Sequence, residues 1–192
     1  MKKGFIIIVT VLIILLLIIG ISVINGYNTL VTADETTSQA YTSIEGRLQQ
    51  RHDMIGQIVA SVSGLQEHES EVYQMITDAR AAYAAATTSG NQDALIQADA
   101  LEAAAMTSLL AVIEDNPDLI VGSSYQSLID SISSIESSLF VARRDFNDSV
   151  ASYNIMVRKF PKVLYASLFN FDKSKEYWKM NDGADEVPEI VF

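Results

Sequence analysis

The sequence predicts an all-α protein, in which an N-terminal transmembrane helix continues into an antiparallel up-and-down bundle of two long and two short helices with an irregular C-terminal tail. Three observations predict this class. The chain of 192 residues is 49% hydrophobic but only 8% aromatic, with 9 Gly and 3 Pro, a composition that suits helices better than packed strands. Its apolar residues recur in steps of three and four over long stretches. No proline interrupts them before Pro117. The divisions expected are an anchor over 1–24, a bundle domain over 25–160 and an aromatic, basic tail over 161–192.

Met1-Lys2-Lys3 precedes an uncharged apolar run from Gly4 to Ile24, long enough as a helix to cross a hydrocarbon core of roughly 30 Å. A cleaved secretory signal has a shorter apolar region and a small-x-small site, for which Gly20-Ile21-Ser22 is a poor match, so the run reads as an uncleaved anchor. Lys2 and Lys3 flank one end, whereas Asp34 and Glu35 follow the other with no base before Arg47. The positive flank puts the N-terminus in the cytoplasm and the bundle outside.

Asn25 to Val62 continues as one helix with Tyr27, Val31, Tyr41, Ile44, Leu48, Ile55, Val59 and Val62 on its apolar side. A break at Ser63-Gly64, with Ser63 as cap and Gln66 three residues on, starts a second helix through Leu65, Val72, Met75, Ile76, Ala79, Tyr83 and Ala86. That helix stops in Thr87-Thr88-Ser89-Gly90-Asn91. The third runs from about Gln92 to Asn116 through Leu95, Ala98, Leu101, Ala105, Leu109, Val112 and Ile113, and Asn116-Pro117 ends it. Ser123-x-x-Gln126 caps the fourth, whose stripe is Tyr125, Leu128, Ile132, Ile135, Leu139, Ala142, Phe146, Val150, Tyr153, Met156 and Phe160.

At a rise of about 1.5 Å per residue the four helices span about 57, 33, 37 and 55 Å, so the two short ones cover only half of the long pair. The tail is the nearest cover for the remainder. Six of the 13 Lys and Arg residues (Arg158, Lys159, Lys162, Lys173, Lys175, Lys179) fall in it or within three residues before it. On one reading Lys162, Tyr165, Phe169, Phe171, Lys173, Lys175, Trp178 and Lys179 meet lipid headgroups at the membrane surface. On the other, the tail folds onto the long helices and completes their core. Val187 to Phe192 is a short alternating segment after an acidic stretch.

Counting along the two long helices brings Arg143 level with Glu45 and Glu136 level with Arg51, with Arg144 and Asp145 beside them. Charges so placed would fix register. Tyr27-Asn28 and Tyr153-Asn154 also share a level, with Asn147 one heptad above Asn154, and predict polar crosslinks between the helices. Metal and nucleophile chemistry find no footing: Gln49 and Leu65, not Glu, stand three residues before His52 and His68, and Ser127, Ser131, Ser134 and Ser138 form a stripe with no histidine paired to it. No glycine-rich phosphate loop calls for a cofactor, and no small-molecule substrate is expected. The net charge of -11 argues against nucleic acid as a partner. The absence of cysteine removes disulfides, thiolate metal sites and thiol nucleophiles.

The chain resembles the LemA family of bacterial membrane-anchored helical proteins. The residues that carry the resemblance are Tyr27-Asn28-Thr29-Leu30-Val31, Ile44-Glu45, Leu48, Arg51-His52-Asp53, His68-Glu69, Ala79-Arg80, Leu109 to Glu114, Pro117-Asp118-Leu119, Glu136, Val141 to Asn154, Phe160-Pro161 and Pro188 to Phe192. One stretch departs: the family's double arginine, aspartate and Leu-Ile-Pro-Asn-Leu-Val is replaced by Gln50-Arg51-His52-Asp53-Met54-Ile55-Gly56-Gln57-Ile58-Val59. The resemblance implies a helical bundle on a single span and no established enzymatic activity. The expected function is a non-enzymatic scaffold or interaction protein of the cell envelope, with the bilayer and a protein partner or second copy as its partners. The alternative is a lipid-interacting protein that shapes or senses membrane through its tail.

Overall fold

The computed structural model describes residues 2–62, 69–116 and 125–179. Five helices account for most of them: α1 Lys2–Ser61, α2 Ser70–Ser89, α3 Gln92–Asp115, α4 Tyr125–Arg158 and α5 Lys162–Leu168. No strand occurs among the described residues. The expected break at Ser63-Gly64 and caps at Ser63 and Ser123 lie outside them. α1 is one uninterrupted helix that carries the apolar run at its start, with the side chains of that run exposed except for the half-buried Ser22 and Val23 near its end. Gly56, which stands where the family has its departure, does not interrupt it.

Local chemistry sets the ends. Gly90 closes α2 in the left-handed region at φ 63°, where a Cβ would be strained, and its N–H donates to the Ala86 carbonyl at 3.1 Å. The next residue, Asn91, caps α3 by accepting from the Ala94 N–H at 3.1 Å. So tight a connection leaves α2 and α3 antiparallel and packed on each other. After α5 a second left-handed residue, Asn170 at φ 59°, lets Phe171 N–H reach back to the Ala166 carbonyl at 2.9 Å and turns the chain.

The chain forms two compact units. The first comprises Met1–Thr42 and Arg144–Tyr177. Its core is Leu30, Tyr153, Val157 and Ala166, with Ala33, Met156, Tyr165 and Phe171 packed against it. The second comprises Ser43–Arg143 and includes Trp178. Its core draws on four helical segments: Ile55 and Ile58 from α1, Ile76 and Ala79 from α2, Ala105, Met106, Leu109 and Ile113 from α3, and Ile132 from α4. This is the up-and-down bundle of two long and two short helices. α3 is apolar enough to pass as a membrane span, but its buried face holds Asp99 and Glu102 within this bundle, so it is a core helix.

The apolar stripes hold with local exceptions. On α4, Ile132, Leu139, Ala142, Phe146, Val150 and Tyr153 are buried as the spacing predicts, whereas Val157 replaces Phe160, which lies beyond the helix end and faces outward. On α1 the buried series is Leu30, Thr37, Ile44, Leu48, Arg51, Ile55, Ile58 and Val62, a heptad run that takes Leu30 in place of Tyr27 and Val31. The tail is not irregular throughout: it contributes α5 and an extended strap over 171–177 to the first unit.

Candidate functional site

Two polar constellations stand out, one in each unit. In the second unit, Arg51 is 1% exposed, and α1 aims it at α3 and α4. Its Nη2 donates to Asp99 Oδ1 at 2.6 Å and to the Asp99 carbonyl at 2.9 Å, and its Nη1 to Glu136 Oε1 at 3.3 Å. Arg143 Nη2 donates to both carboxylate oxygens of Asp99 at 2.6 Å. Glu102, 0% exposed, hydrogen-bonds His52 Nδ1 at 2.7 Å through Oε1, and its Oε2 faces Arg51 Nε at 3.7 Å. The His52 ring stacks on Tyr83, centroids 4.5 Å apart, and the Tyr83 hydroxyl donates to Gln49 Oε1. Arg80 Nη1 donates to the His52 carbonyl at 2.6 Å. That guanidinium crosses directly over Gly56, where an added Cβ would come within 2.9 Å of it, so the small residue makes room for the bond.

Desolvation of two charges costs several kcal/mol per ion, and only close, hydrogen-bonded partners offset it. Arg51 meets that condition: burial works against its charge, but Asp99, Glu136 and Glu102 together hold its pKa above the ordinary value. Glu102 is less well provided. Burial pushes its carboxyl above the ordinary 4.5, against the pull of the His52 hydrogen bond and the charges of Arg51, His52 and Arg80. Burial, and next the charge of Glu102, push the Tyr83 phenol up to about 12, which keeps it a neutral donor.

A carboxyl whose pKa folding raises stabilises the folded state fully below its unfolded value, and that contribution is lost as pH rises through the folded value. The melting temperature of the wild type should therefore fall, relative to Glu102→Gln, as pH climbs from 4.5 through the window just above it. Parallel thermal melts of the two proteins across that range check the sign.

In the first unit the strap is clasped to α4 and α1. Asn154 donates through Nδ2 to the Lys175 carbonyl at 3.0 Å and accepts from the Lys175 N–H at 2.7 Å. The Tyr153 hydroxyl donates to the Asp172 carbonyl at 2.9 Å, and burial, with Asp34 and Asp172 nearby, pushes its pKa up to about 12. Lys175 Nζ meets Asp34 at 2.8 Å and sits 5.0 Å over the Tyr153 ring. Tyr27 packs edge-on against Phe169 and Phe171, at 4.9 and 5.8 Å. Tyr165 hydrogen-bonds Ser22 at 2.9 Å, its ring over Gly26.

The strap and α5 account for one side of the α1/α4 pair. Another side is a cleft of about 770 Å³ lined by Asn25, Asn28, Thr29, Thr32 and Thr36 of α1 and by Asp145, Asp148, Ser149, Ser152 and Met156 of α4. The hydroxyls of Thr29, Thr32 and Thr36 donate to their own helix, to the carbonyls of Asn25, Asn28 and Thr32 at 2.6, 2.9 and 2.7 Å. Ser149 does the same to Phe146 at 2.7 Å. With these hydroxyls turned inward, the wall is more apolar than its residue names suggest.

Several residues singled out in the sequence stand elsewhere than expected. Arg51 and Glu136 do meet. Arg143 does not reach Glu45, which is exposed; it takes Asp99, because α3 presents a carboxylate closer than any on α1. Asn154 and Tyr153 crosslink α4 to the strap, not to Tyr27-Asn28, since the strap offers unpaired backbone groups and α1 does not. Asn28 is exposed, Asn147 is half-buried, and Arg144 pairs at 3.4 Å with its exposed neighbour Asp145. Of the residues expected at the membrane surface, Trp178 is buried and 3% exposed, Lys175 is tied to Asp34, and Tyr165 and Phe171 pack on the core. Lys173, Lys179 and Phe169 are exposed and Lys162 is half-exposed. His68 lies outside the described residues. Asp99 and Glu102 escaped the sequence reading, although the spacing Leu95, Ala98, Glu102, Ala105, Leu109 puts an acid on a heptad core position.

The sequence profile of the LemA family matches residues 40–192, which takes in the ion cluster and the Asn154–Lys175 clasp. The chain belongs to the LemA family. Magnetosome protein MamQ 2 of Paramagnetospirillum magneticum is 24% identical to this LemA-family chain, the match covering 83% of the chain and 66% of the relative. Magnetosome protein MamQ of Magnetospirillum gryphiswaldense is 23% identical over the same shares. The chain thus spans 66% of the length of these relatives. The apolar start of α1 places this LemA-family protein at a membrane.

Proposed function

We propose that this LemA-family protein is a non-enzymatic scaffold of the cell envelope, with its N-terminus in the cytoplasm and its helical domain outside, and that it binds a helix of another membrane protein in the α1/α4 cleft. The carrying observation is the cleft wall itself. Its threonine hydroxyls are already bonded to their own carbonyls, so covering it strands few donors, and its small side chains permit close approach of a helix. It begins at Asn25, immediately after the apolar run, where a neighbouring span would emerge. Asp145 and Asp148 line it and favour a partner with basic residues at that level, whereas a second copy of a chain with a net charge of -11 is disfavoured.

The test is a photo-crosslinking residue at Ser152 of the full chain in native membranes. A single foreign protein should be captured, and Thr32→Trp, which fills the cleft, should abolish the adduct. Capture that survives Thr32→Trp, or no capture, would contradict the reading.

A further inference from the structure

The exposed apolar side chains around α5 form a row. Leu164 and Leu168, 57 and 70% exposed, stand four residues apart on one face of α5, and Phe160, 80% exposed, directly precedes the helix, while Ala166 and Tyr165 turn toward the core. A row of large apolar groups left in water is unusual for a face of so short a helix, and it marks a surface with a partner. The inward residues fix where the row stands. Tyr165 shares a hydrogen bond with Ser22, which lies inside the apolar run that ends at Ile24. A Cβ at Gly26 would clash with Cδ2 and Cε2 of the same ring, so the glycine lets α5 seat tightly against α1 there. α5 is therefore pinned to the last turns of the anchor, at the level where hydrocarbon gives way to headgroups. Arg158, Lys159 and Lys162 flank Phe160 in the sequence, the first two exposed and the third half-exposed.

We propose that α5 and Phe160 form an interfacial seat, which lies along the leaflet from which the anchor emerges and buries Phe160, Leu164 and Leu168 among the acyl chains. Tyr165 occupies the place of an aromatic belt residue, and the three bases meet lipid phosphate. The anchor and the seat together hold the protein at two points, so the α1/α4 pair stands at a set angle to the bilayer instead of swivelling on a single span. This goes beyond the partner reading and does not depend on it, because the cleft and the α5 row are lined by different residues.

The absence of native cysteine makes the test direct. The full chain carrying Leu164→Cys, Leu168→Cys or, as a control on exposed α4 surface, Ser131→Cys is labelled with an environment-sensitive fluorophore and reconstituted in phosphatidylcholine/phosphatidylglycerol bilayers. Lipids spin-labelled near the headgroup end of the acyl chain should quench the labels at 164 and 168 several-fold more than the label at 131, and aqueous iodide several-fold less. Iodide quenching at 164 and 168 equal to that at 131 would overturn the seat. Protection from iodide without quenching by the spin-labelled lipid would overturn it too, since protein and not lipid would then cover the row.

Discussion

Replacing Arg51 by alanine should destabilise the second unit by about 3–5 kcal/mol, the usual cost of removing one partner from a buried ion pair. The reason lies in what remains. Asp99 keeps Arg143, but Glu102 loses the guanidinium 3.7 Å from its Oε2, and Glu136 loses its partner at 3.3 Å. The cavity left by the largest fully buried side chain adds to the loss. Arg51→Met separates the two contributions, since it restores most of the volume and none of the charge. Thermal unfolding of the full chain in detergent, followed by helical circular dichroism, reads both. Loss of the charge is expected to dominate, so Met should recover the smaller part; full recovery by Met would show that packing, not pairing, holds this site.

The second large effect belongs to Asn154. Its side chain satisfies both backbone groups of Lys175, and alanine would leave an amide and a carbonyl without partners. Each such loss costs about 1–3 kcal/mol while the group stays buried, so the strap should open more readily instead of remaining docked. The opening free energy should fall by about 2–4 kcal/mol, which is roughly a 30- to 1,000-fold faster exchange of the Lys175 amide. Tyr153→Phe removes one bond, to the Asp172 carbonyl, and should produce a smaller effect on the same segment. Hydrogen exchange at Phe171 to Lys175 distinguishes the two variants. Unchanged exchange in Asn154→Ala would mean that the Lys175–Asp34 pair and the ring contacts hold the strap without the asparagine.

Much of the fold was legible because helix physics is local. The absence of proline over a long apolar pattern predicts the uninterrupted α1, and Gly90-Asn91 marks a stop and a start within two residues. Counting at a fixed rise per residue brings Arg51 and Glu136 to one height, and their side chains lie 3.3 Å apart. What was not legible depends on partners distant in sequence. Tyr27 and Val31 look like core residues on an isolated helix, yet α5 and the strap select Leu30 and leave Tyr27 to pack edge-on against Phe169 and Phe171. Asp99 and Glu102 gain their meaning only when Arg51, Arg143 and His52 are brought to them. The strap and the residue after it have no periodicity at all, so neither the backbone bonds of Lys175 nor the burial of Trp178 follow from a pattern. Its lysines and aromatics suggested a membrane surface. The large apolar side chains left most exposed there are instead Leu164 and Leu168 of α5 and Phe160 just before it.

The scaffold reading stands on the cleft being filled in the membrane, and accessibility measures this most directly. Single cysteines at Thr32, Thr36 and Ser152, with Gln39 as an exposed control, are treated with a membrane-impermeant maleimide before and after purification from native membranes. The cleft positions should be protected in the membrane and become as reactive as Gln39 once the protein is purified. Equal reactivity of all four positions in native membranes would show an empty cleft and contradict the account.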